Sequence, residues 1–346
     1  MRLQNSCKMN PFSHGGDIYF NHVNMDFSVN INPLGPPDAV KQVLVQSQEL
    51  LLRYPDMRCN RLRVLLADTL QIDSDDIIFG NGASELLMAL AHAYRPRRIL
   101  VQFPSFAGYR WIADAMDAEV VQIEDALSNE DIRSEDLIII TNPNNPTGEY
   151  VNAELLKEAL IKCKEVHAKV LIDECFMELS DSPKEHSLLP QYKDYHNLYI
   201  LRAFTKTFAI PGVRLGYLVS ANSEGMKAIR KNLPEWNVSS IAEACGLAAI
   251  LWAMETDYLD DSRAYIVEQR EWLRFQLESL GIKVHSSVTT FLLVESHQPL
   301  AEILKEKGIL IRECANFEGL GDNFYRIAVK KHEDNEELIR CLKSRL

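Results

Sequence analysis

Residues 198–220 read LYILRAFTKTFAIPGVRLGYLVS, so that two apolar, strand-like runs flank a lysine, a proline and an arginine. Further strand-like runs precede this stretch, and several of them alternate with amphipathic, helix-like segments such as 84–94 and 152–166. An alternation of buried strands with amphipathic helices predicts an α/β domain with a mainly parallel sheet. We predict the earlier strands at 75–80, 98–103, 119–124, 137–141 and 169–174.

The sequence changes character after about residue 236. Residues 239–280 are almost free of Gly and Pro, which predicts one long helix or two helices joined end to end. The remaining residues predict a smaller α+β unit, whereas the first 40 residues predict an extended arm that packs on something larger. We therefore expect three parts: an N-terminal arm with part of the small domain at 1–45, a large domain at 46–238, and a connecting helix with the small domain at 239–346.

The charge balance restricts the classes of partner. The 346 residues include 37 Lys and Arg against 49 Asp and Glu, a net charge of −12, which argues against nonspecific binding of nucleic acid or anionic membranes.

The longest apolar stretch, Ala244 to Met254, is about half of the roughly 20 residues that span a bilayer. The N-terminus lacks the apolar core of a signal peptide, so we expect a cytoplasmic protein. The 7 cysteines and 9 histidines lack zinc-site spacing, so we expect free thiols and no metal site.

Two polar turns follow predicted strands in the large domain. The first, GNGASE at 80–85, lies directly before a predicted helix, whose first backbone amides can bind a phosphate group. A plain strand-to-helix turn uses the same residues about as often. The second, NPNNPTG at 142–148, offers neutral amide side chains, although Asn, Pro and Gly equally favour a rigid structural turn. Neither turn identifies a ligand by itself.

Three charged residues follow the next strands. Asp173 ends a buried strand, where its carboxylate needs a cation or donor such as a protonated ring nitrogen; a helix N-cap is the alternative role. Lys206 follows a strand in apolar surroundings, and burial lowers the pKa of a lysine toward values suited to Schiff-base chemistry, although a lone strand-end lysine is more often a surface residue. Arg214 lies eight positions later. A phosphate turn, an amide, a carboxylate, a lysine and an arginine together match the requirements of pyridoxal 5'-phosphate.

The motifs NNPTG, DE at a strand end and TKxxxxPGxRLGY, in that order, carry a specific family likeness. With them the chain resembles, over nearly its whole length, the fold type I superfamily of class I and II aminotransferases. This resemblance implies a three-layer α/β large domain of the PLP-dependent transferase type with a mainly parallel sheet, and a small α+β domain. It also implies pyridoxal 5'-phosphate (PLP) as cofactor and a homodimer with active sites at the dimer interface.

The resemblance further implies roles for individual residues. Lys206 would form the Schiff base with the cofactor, Asn145 would hydrogen-bond its phenolic oxygen, and Asp173 would pair with its pyridinium nitrogen. Phe106 would stack on the ring, and Tyr54 would reach the neighbouring subunit's site. The cofactor phosphate would be held by Gly82, Ala83, Ser84, Thr205 and Arg214.

Two positions depart from the family pattern. Phe176 stands where many relatives carry a tyrosine, so a hydroxyl that would hydrogen-bond the cofactor is missing. Ala203 stands where many carry Ser or Thr three residues before the lysine, which removes one phosphate ligand. Thr205 or backbone amides must then compensate for that loss.

The N-terminal signature refines the expected function. The chain resembles the threonine-phosphate decarboxylase group of cobalamin biosynthesis, with histidinol-phosphate aminotransferases as near relatives. The motifs that carry this resemblance are HGGD at 14–17, DFSVNINPLG at 26–35 and DECF at 173–176. By this resemblance Arg326 binds the substrate carboxylate, a bidentate contact that suits arginine. Arg312 is a second cation, for which a solvated strand end is the alternative. The expected substrate-binding residues are His14, Gly15, Asn30, Asn145, Arg312 and Arg326.

We therefore predict a PLP-dependent lyase that decarboxylates O-phospho-L-threonine to (R)-1-aminopropan-2-yl phosphate and CO2. Two alternatives stay open: a PLP-dependent aminotransferase, such as one acting on histidinol phosphate, and a regulatory cofactor-binding module without catalysis. The regulatory module has less support, because such proteins usually carry an attached DNA-binding domain and we expect no room for one in this acidic chain.

Overall fold

The computed structural model describes residues 15–19, 23–123 and 132–345. The strands in these ranges are β1 (Met25–Asp26), β2 (Ile77–Gly80), β3 (Arg98–Val101), β4 (Glu119–Gln122), β5 (Asp136–Thr141), β6 (Lys169–Asp173), β7 (Leu198–Ala203), β8 (Gly216–Val219), β9 (Lys283–Val284), β10 (Phe291–Glu295), β11 (Ile309–Leu310), β12 (Arg312–Glu313) and β13 (Phe324–Ala328). The α-helices are α1 (Asp38–Val45), α2 (Asn60–Leu70), α3 (Ala83–Tyr94), α4 (Gly108–Ala115), α5 (Ala153–Glu165), α6 (Pro183–His186), α7 (Phe204–Thr207), α8 (Ser223–Arg230), α9 (Ser240–Glu255), α10 (Tyr258–Ser279), α11 (Leu300–Lys305) and α12 (His332–Lys343). Short 3-10 helices cover Ser47–Leu52, Ser74–Asp76, Met177–Leu179, Leu189–Asp194 and Pro211–Val213.

A sheet of 7 strands, in the order β2-β8-β7-β6-β5-β3-β4, forms the centre of the larger part of the molecule. Strands β3 to β7 run parallel, whereas β8 runs antiparallel to both of its neighbours. The mainly parallel sheet predicted from the sequence is therefore confirmed. Because β2 and β7 both oppose β8, the carboxyl ends of β2, β5, β6 and β7 lie at one edge of the sheet.

Hydrophobic cores cover both faces of this sheet, which explains why its central strands contain continuous apolar runs. Every residue of β5 is buried; Ile138 and Ile140 pack into one core, and Leu137 and Ile139 pack into the other. Side chains alternate between the two faces of a strand, so a continuous apolar run needs helices on both sides. Helices α2, α5 and α9 cover one face, and α3, α4 and α8 cover the other. The predicted three-layer α/β architecture is thus confirmed.

A buried ion pair joins β3 to β5. Arg98 and Asp136 are register partners, and Arg98 Nε and Nη2 donate to the Asp136 carboxylate at 2.9 and 2.6 Å. We expect Asp136→Asn to lower the free energy of unfolding by about 3 kcal/mol, because it leaves a buried guanidinium without its counter-charge. Urea unfolding measures this loss.

The adjacent exposed pair Arg97–Glu135, with an Nε–Oε2 distance of 3.1 Å, offers a matched control for this prediction. Glu135→Gln should change the free energy of unfolding by less than about 1 kcal/mol, since exposed pairs contribute little. Equal losses in the two variants would contradict the argument from burial.

Two helices connect the large sheet to a smaller one. The predicted helical segment 239–280 is divided into α9 and α10, because Thr256 takes an extended conformation between them. Ser239 caps α9 by accepting a hydrogen bond from the Ala242 N–H at 3.1 Å. Of the two arrangements that the sequence left open, the chain therefore adopts two helices.

The smaller sheet is antiparallel and has the order β12-β13-β10-β9. Helices α10, α11 and α12 pack on it through a separate apolar core. The N-terminal segment joins this unit, because β1 pairs in parallel with β11 and Phe27 lies fully buried in the same core. A small α+β unit is therefore confirmed, while the boundaries near residues 45 and 238 stay predictions.

No helix in the described ranges is both long enough and apolar enough to cross a membrane. The same ranges contain no group of three or more His, Cys, Asp or Glu side chains that could hold a metal ion. The expected cellular location stays a prediction.

Candidate active site

A cleft of about 660 Å³ opens at the edge of the large sheet where β2, β5, β6 and β7 end, with residues of β12 and β13 in its opposite wall. It brings together residues that lie far apart in the sequence, including both ends of the described chain. The predicted site residues that line it are Gly15, Asn30, Ala83, Ser84, Phe106, Asn145, Asp173, Thr205, Lys206, Arg214, Arg312 and Arg326.

Lys206 lies in α7, a single helical turn that directly follows β7. Its Nζ atom lies 5.7 Å from the centroid of the Phe176 ring, and both residues line the cleft. Burial, and next the positive charge of Arg326, lower the pKa of Lys206 to about 8. A larger fraction of this amine is therefore neutral near pH 7 than for an exposed lysine, which suits attack on an aldehyde.

Asp173 is held at the end of β6 by two donors. Its carboxylate accepts a hydrogen bond from the Tyr109 hydroxyl at 2.8 Å and one from the Cys175 N–H at 3.0 Å. Burial raises the pKa of Tyr109 well above its ordinary value, so its hydroxyl keeps its proton. The next residue, Glu174, pairs instead with the buried Arg202, at a distance of 2.7 Å between Oε2 and Nη2. Asp173 is therefore the acidic residue of this pair that faces the cleft.

Sequence reasoning did not identify Tyr109 and Thr141 as part of this arrangement. Tyr109 stands in the same PSFAGY segment as Phe106, but no local pattern indicates that its hydroxyl meets Asp173, which is 64 positions away. Thr141 Oγ1 lies 2.8 Å from the Tyr109 hydroxyl and is the register partner of Asp173 across β5 and β6. Strand register was therefore the signal that could have found Thr141.

Gly82 and Arg214 meet closely at the start of α3. Gly82 has a φ of +80°, and a Cβ atom built on it would lie 2.4 Å from Arg214 Nη2. Gly216 also lies close to α3, because a Cβ atom built on it would lie 2.7 Å from the Ala83 nitrogen. The first amides of α3 and the guanidinium of Arg214 therefore converge, and both attract an anion.

The apolar wall of the cleft comes from aromatic side chains. Phe106 makes an edge contact with Tyr109 at a centroid distance of 5.6 Å. Phe176 is buried and makes an edge contact with Phe291 at 5.2 Å. The departure at position 176 therefore replaces a hydroxyl with an apolar surface beside Lys206.

The second departure lies at the end of β7. Ala203 is the register partner of Gly216, and its side chain offers no donor to the cleft. Thr205, two residues later, is buried and lines the same cleft. Its hydroxyl is thus placed where it could replace the missing phosphate ligand.

Arg312 and Arg326 face each other on neighbouring antiparallel strands. They are register partners in β12 and β13, and both line the cleft. Arg326 donates to the Asn145 side chain and, at 2.9 Å, to the Ser28 carbonyl. Burial, with the nearby charge of Arg312, lowers the pKa of Arg326 to about 10. Like charges directly across a sheet destabilise each other, so an anion bound between these side chains would relieve their repulsion.

The N-terminal segment forms another wall of the cleft. A Cβ atom on Gly15 would lie 2.3 Å from the Ser28 carbonyl oxygen, so only glycine fits there. The Gly16 N–H donates to Ser28 Oγ at 2.7 Å, and Ser28 Oγ donates to Asp26 Oδ1 at 2.6 Å. Asn30 Oδ1 is buried and has no hydrogen-bond partner among the described residues. This segment therefore presents an unsatisfied amide oxygen that a ligand could bind.

Two predicted residues of the described ranges, Gly82 and Tyr54, are not among those that line this cleft, although Gly82 directly precedes Ala83, which lines it. His14 falls outside the described residues, and its role stays a prediction. Tyr54 is 81% exposed, and its ring lies 4.8 Å from that of Trp236 and away from the cleft of its own chain. The sequence prediction for Tyr54 concerned a neighbouring subunit, so its position in one chain leaves that prediction open.

The residues of the cleft fit PLP. The close contact of Gly82 with Arg214 at the start of α3 suits a phosphate group. Asp173, fixed by its two donors, suits a protonated ring nitrogen, and Lys206 suits an aldehyde carbon. All three features lie at one edge of the same sheet.

We expect Gly82→Ala to weaken binding of PLP by roughly tenfold, because the added methyl group displaces Arg214, the predicted ligand of its phosphate. Absorbance titration of the apoenzyme measures the affinity. The matched control is Gly281→Ala, where φ is +76° and an added Cβ would meet no atom within 4 Å. Both variants strain the backbone in the same way, so equal affinities for PLP would contradict the assignment of the phosphate site.

Comparisons with known proteins agree with this arrangement. Residues 23–342 match a family model described as aminotransferase class I and II. A protein of Caldanaerobacter subterraneus subsp. tengcongensis, provisionally named a threonine-phosphate decarboxylase, is 35% identical over 97% of this chain and 94% of its own. The threonine-phosphate decarboxylase of Salmonella typhimurium is 31% identical over 92% of this chain and 90% of its own.

A solved structure is similar over the same range. The histidinol-phosphate aminotransferase from Clostridium acetobutylicum superposes with a TM-score of 0.84 and is 31% identical, covering 92% of this chain and 98% of that one. Both kinds of activity predicted from the sequence therefore occur among similar proteins.

Proposed function

The chain belongs to the class I and II aminotransferase family, and on that basis we propose that it decarboxylates O-phospho-L-threonine with the help of PLP. The products would be CO2 and (R)-1-aminopropan-2-yl phosphate, in a step that serves cobalamin biosynthesis. The two relatives named for threonine-phosphate decarboxylase support this proposal, since the similarity spans most of each chain. The observation in the cleft that carries it is the facing pair Arg312 and Arg326, which can bind two anionic groups of one substrate.

PLP is the cofactor of this enzyme family. We propose that Asp173 holds its ring nitrogen, Asn145 its phenolic oxygen, and Phe106 the face of its ring. When bound, PLP supplies a conjugated system that accepts the electron pair released at the substrate Cα atom. The proposed ligands of its phosphate are Gly82, Ala83, Ser84, Thr205 and Arg214.

The two arginines would bind the two ends of the substrate. Arg326, with the Asn145 amide beside it, would hold the carboxylate, and Arg312 with Asn30 would hold the phosphate. A fixed carboxylate matters because the orientation of the bonds at Cα decides which of them breaks. By orienting the carboxylate, Arg326 would favour loss of CO2 over loss of the Cα proton.

Lys206 would act twice in this reaction. It would hold the cofactor at its aldehyde carbon before the substrate binds, and its amine would serve the Cα atom of the substrate afterwards. After CO2 has left, Lys206 Nζ would deliver a proton to the Cα atom of the substrate as general acid. A lysine with a pKa of about 8 can both hold and release a proton near neutral pH.

A second candidate function is transamination, in which Lys206 would remove the Cα proton instead. The similarity to the histidinol-phosphate aminotransferase from Clostridium acetobutylicum, at a TM-score of 0.84, favours this candidate. Transamination needs a keto acid as a second substrate and releases no CO2, so the two reactions are separable by their products.

The experiment compares the two reactions on one preparation of the PLP-loaded enzyme. One sample receives O-phospho-L-threonine alone, and the other receives histidinol phosphate with 2-oxoglutarate. We expect continuous release of CO2 in the first sample and a higher kcat/KM there than in the second. Glutamate formation in the second sample without CO2 in the first would establish the aminotransferase instead.

We further propose that two copies of the chain form a homodimer. Large apolar side chains are exposed along residues 45–57, and one of them, Tyr54, has its ring 4.8 Å from that of Trp236, which is 41% exposed. Contiguous exposed apolar side chains commonly mark a protein interface. A second copy would cover them and would bring Tyr54 to the neighbouring cleft, as the family resemblance implies. The residues of this apolar face are Val45, Leu51, Leu52, Tyr54, Met57 and Trp236.

Leu52→Glu should raise the dimer dissociation constant by at least about tenfold, because it places a charge in the centre of a desolvated contact. Leu52 is 84% exposed in the single chain, so the substitution should not disturb the fold. Phe275→Glu, on the exposed side of α10, is the matched control. Sedimentation velocity measures both variants, and an undisturbed dimer in Leu52→Glu would contradict the proposed interface.

A further inference from the structure

Lys330 lies on the same wall of the cleft as Arg326. Strand β13 ends at Ala328, but the Val329 N–H donates to the Thr290 carbonyl at 2.7 Å, so the extended pairing continues past the strand. Side chains of an extended chain alternate between its two sides. Val329 is therefore fully buried in the small unit, whereas Arg326 and Lys330 both line the cleft.

The backbone of Lys330 is fixed, whereas its ammonium group is unpaired. The Lys330 N–H donates to Asn335 Oδ1 at 3.1 Å, and its carbonyl accepts from Asn335 Nδ2 at 2.9 Å. Within the described ranges, the ammonium group makes no ion pair and no hydrogen bond. Burial lowers the pKa of Lys330. A partly buried cation that extends from a fixed backbone and lines a ligand cleft without a partner suits the binding of an anion.

Asp26 is the acidic residue of the cleft that could neutralise the ammonium charge of Lys330 when no ligand is bound. It lines the cleft, and its charge favours the protonated form of Lys330 together with that of Asp334. However, Asp26 Oδ1 already accepts from the N–H of Ser28 at 2.8 Å and from its hydroxyl at 2.6 Å. Asp26 therefore holds the N-terminal segment in place and makes no direct pair with Lys330 among the described contacts.

The balance of charge at this end of the cleft is positive. The charged residues that line this wall are three cations and one anion: Arg312, Arg326 and Lys330 are positive, and Asp26 is negative. A phosphate dianion carries more charge and more acceptor oxygens than a carboxylate, so it can engage several cations at once. A substrate with both groups would match this distribution.

We propose that Lys330 is a specificity-determining residue that binds the substrate's phosphate group together with Arg312, and that it sets the preference for phosphorylated over unphosphorylated amino acids. This inference rests on the proposed function, in which Arg326 takes the carboxylate. Its proposed role is to bind the phosphate group, and it takes no part in the proton transfer that we propose for Lys206.

The test compares Lys330→Gln and Lys330→Arg with the control Lys331→Gln, an exposed lysine that directly precedes α12. Calorimetry on the PLP-loaded enzyme, with the cofactor first reduced onto Lys206 by borohydride so that no turnover occurs, would give affinities for inorganic phosphate, O-phospho-L-threonine and L-threonine. Lys330→Gln should weaken the first two by roughly tenfold to a hundredfold, which is the effect of losing one charged hydrogen bond. Binding of L-threonine should stay within about twofold, and Lys330→Arg should restore most of the phosphate affinity.

The proposal is wrong if Lys330→Gln leaves both phosphate affinities unchanged, if it weakens L-threonine equally, or if Lys331→Gln has the same effect. These affinities do not depend on which reaction follows binding. If O-phospho-L-threonine binds with the expected dependence on Lys330 but no CO2 is released, the inference about Lys330 stands and the decarboxylase assignment fails.

Discussion

Lys206→Ala should lower the rate of CO2 release from O-phospho-L-threonine by roughly 10²- to 10⁴-fold, the usual contribution of a single proton-transfer group. In the proposed mechanism Lys206 supplies both the amine that joins the cofactor and the general acid that protonates Cα, so the variant would lack both. Arg214, Gly82 and Asp173 are untouched, so PLP should still bind without a covalent link. Stopped-assay CO2 measurement and the absorbance of protein-bound PLP report the two effects separately.

The control for this variant is Lys227→Ala, which removes an exposed lysine that pairs on the surface of α8 with Glu224 at 2.8 Å. It should keep full turnover and the covalently bound cofactor. Full turnover in Lys206→Ala would contradict the proposed mechanism. Loss of PLP from Lys206→Ala would instead show that the phosphate site alone does not hold the cofactor.

Arg326→Lys should lower kcat/KM for O-phospho-L-threonine by about thirtyfold or more, equivalent to about 2 kcal/mol of lost transition-state binding. Arg326 is buried and its planar guanidinium is fixed by the Asn145 side chain and the Ser28 carbonyl. A lysine keeps the positive charge but cannot form two parallel hydrogen bonds to a carboxylate. Steady-state kinetics with a CO2 detector measure the change.

Arg340→Lys, an exposed arginine of α12 that pairs with Glu337 at 2.6 Å, is the control. It should leave kcat/KM unchanged. If Arg326→Lys retained the parent kcat/KM while thermal unfolding confirmed an intact fold, Arg326 would not be the carboxylate ligand. The buried position of Arg326 makes the check on folding necessary.

The large sheet could be predicted from sequence because its strands contain continuous runs of apolar residues. Residues 137–140, for example, are all apolar, and a sheet covered on both faces buries such a run. Residues that directly follow these strands, such as Asp173 and Lys206, could be placed at one edge for the same reason. The cofactor side of the cleft thus follows from local patterns and parallel topology.

The substrate side depends on contacts that no local pattern records. The sequence marked Arg312 and Arg326 as two cations, but their direct opposition comes from the register of β12 with β13. The hydroxyl of Tyr109 donates to Asp173, and the Gly16 N–H donates to Ser28, which is held in turn by Asp26. The contacts of Tyr109 and Gly16 join residues that are distant in sequence, so reasoning from a single sequence does not find them. The break between α9 and α10 was left open because residues around Thr256 contain neither Gly nor Pro.

The most direct test of the proposed function uses O-phospho-L-threonine labelled with 13C at its carboxyl carbon, in deuterated water, without any keto acid. The PLP-loaded enzyme should release labelled CO2 in the same amount as substrate consumed, and the amine product should carry deuterium at the former Cα atom. Absence of labelled CO2, together with amino transfer from histidinol phosphate to 2-oxoglutarate by the same preparation, would contradict the decarboxylase assignment.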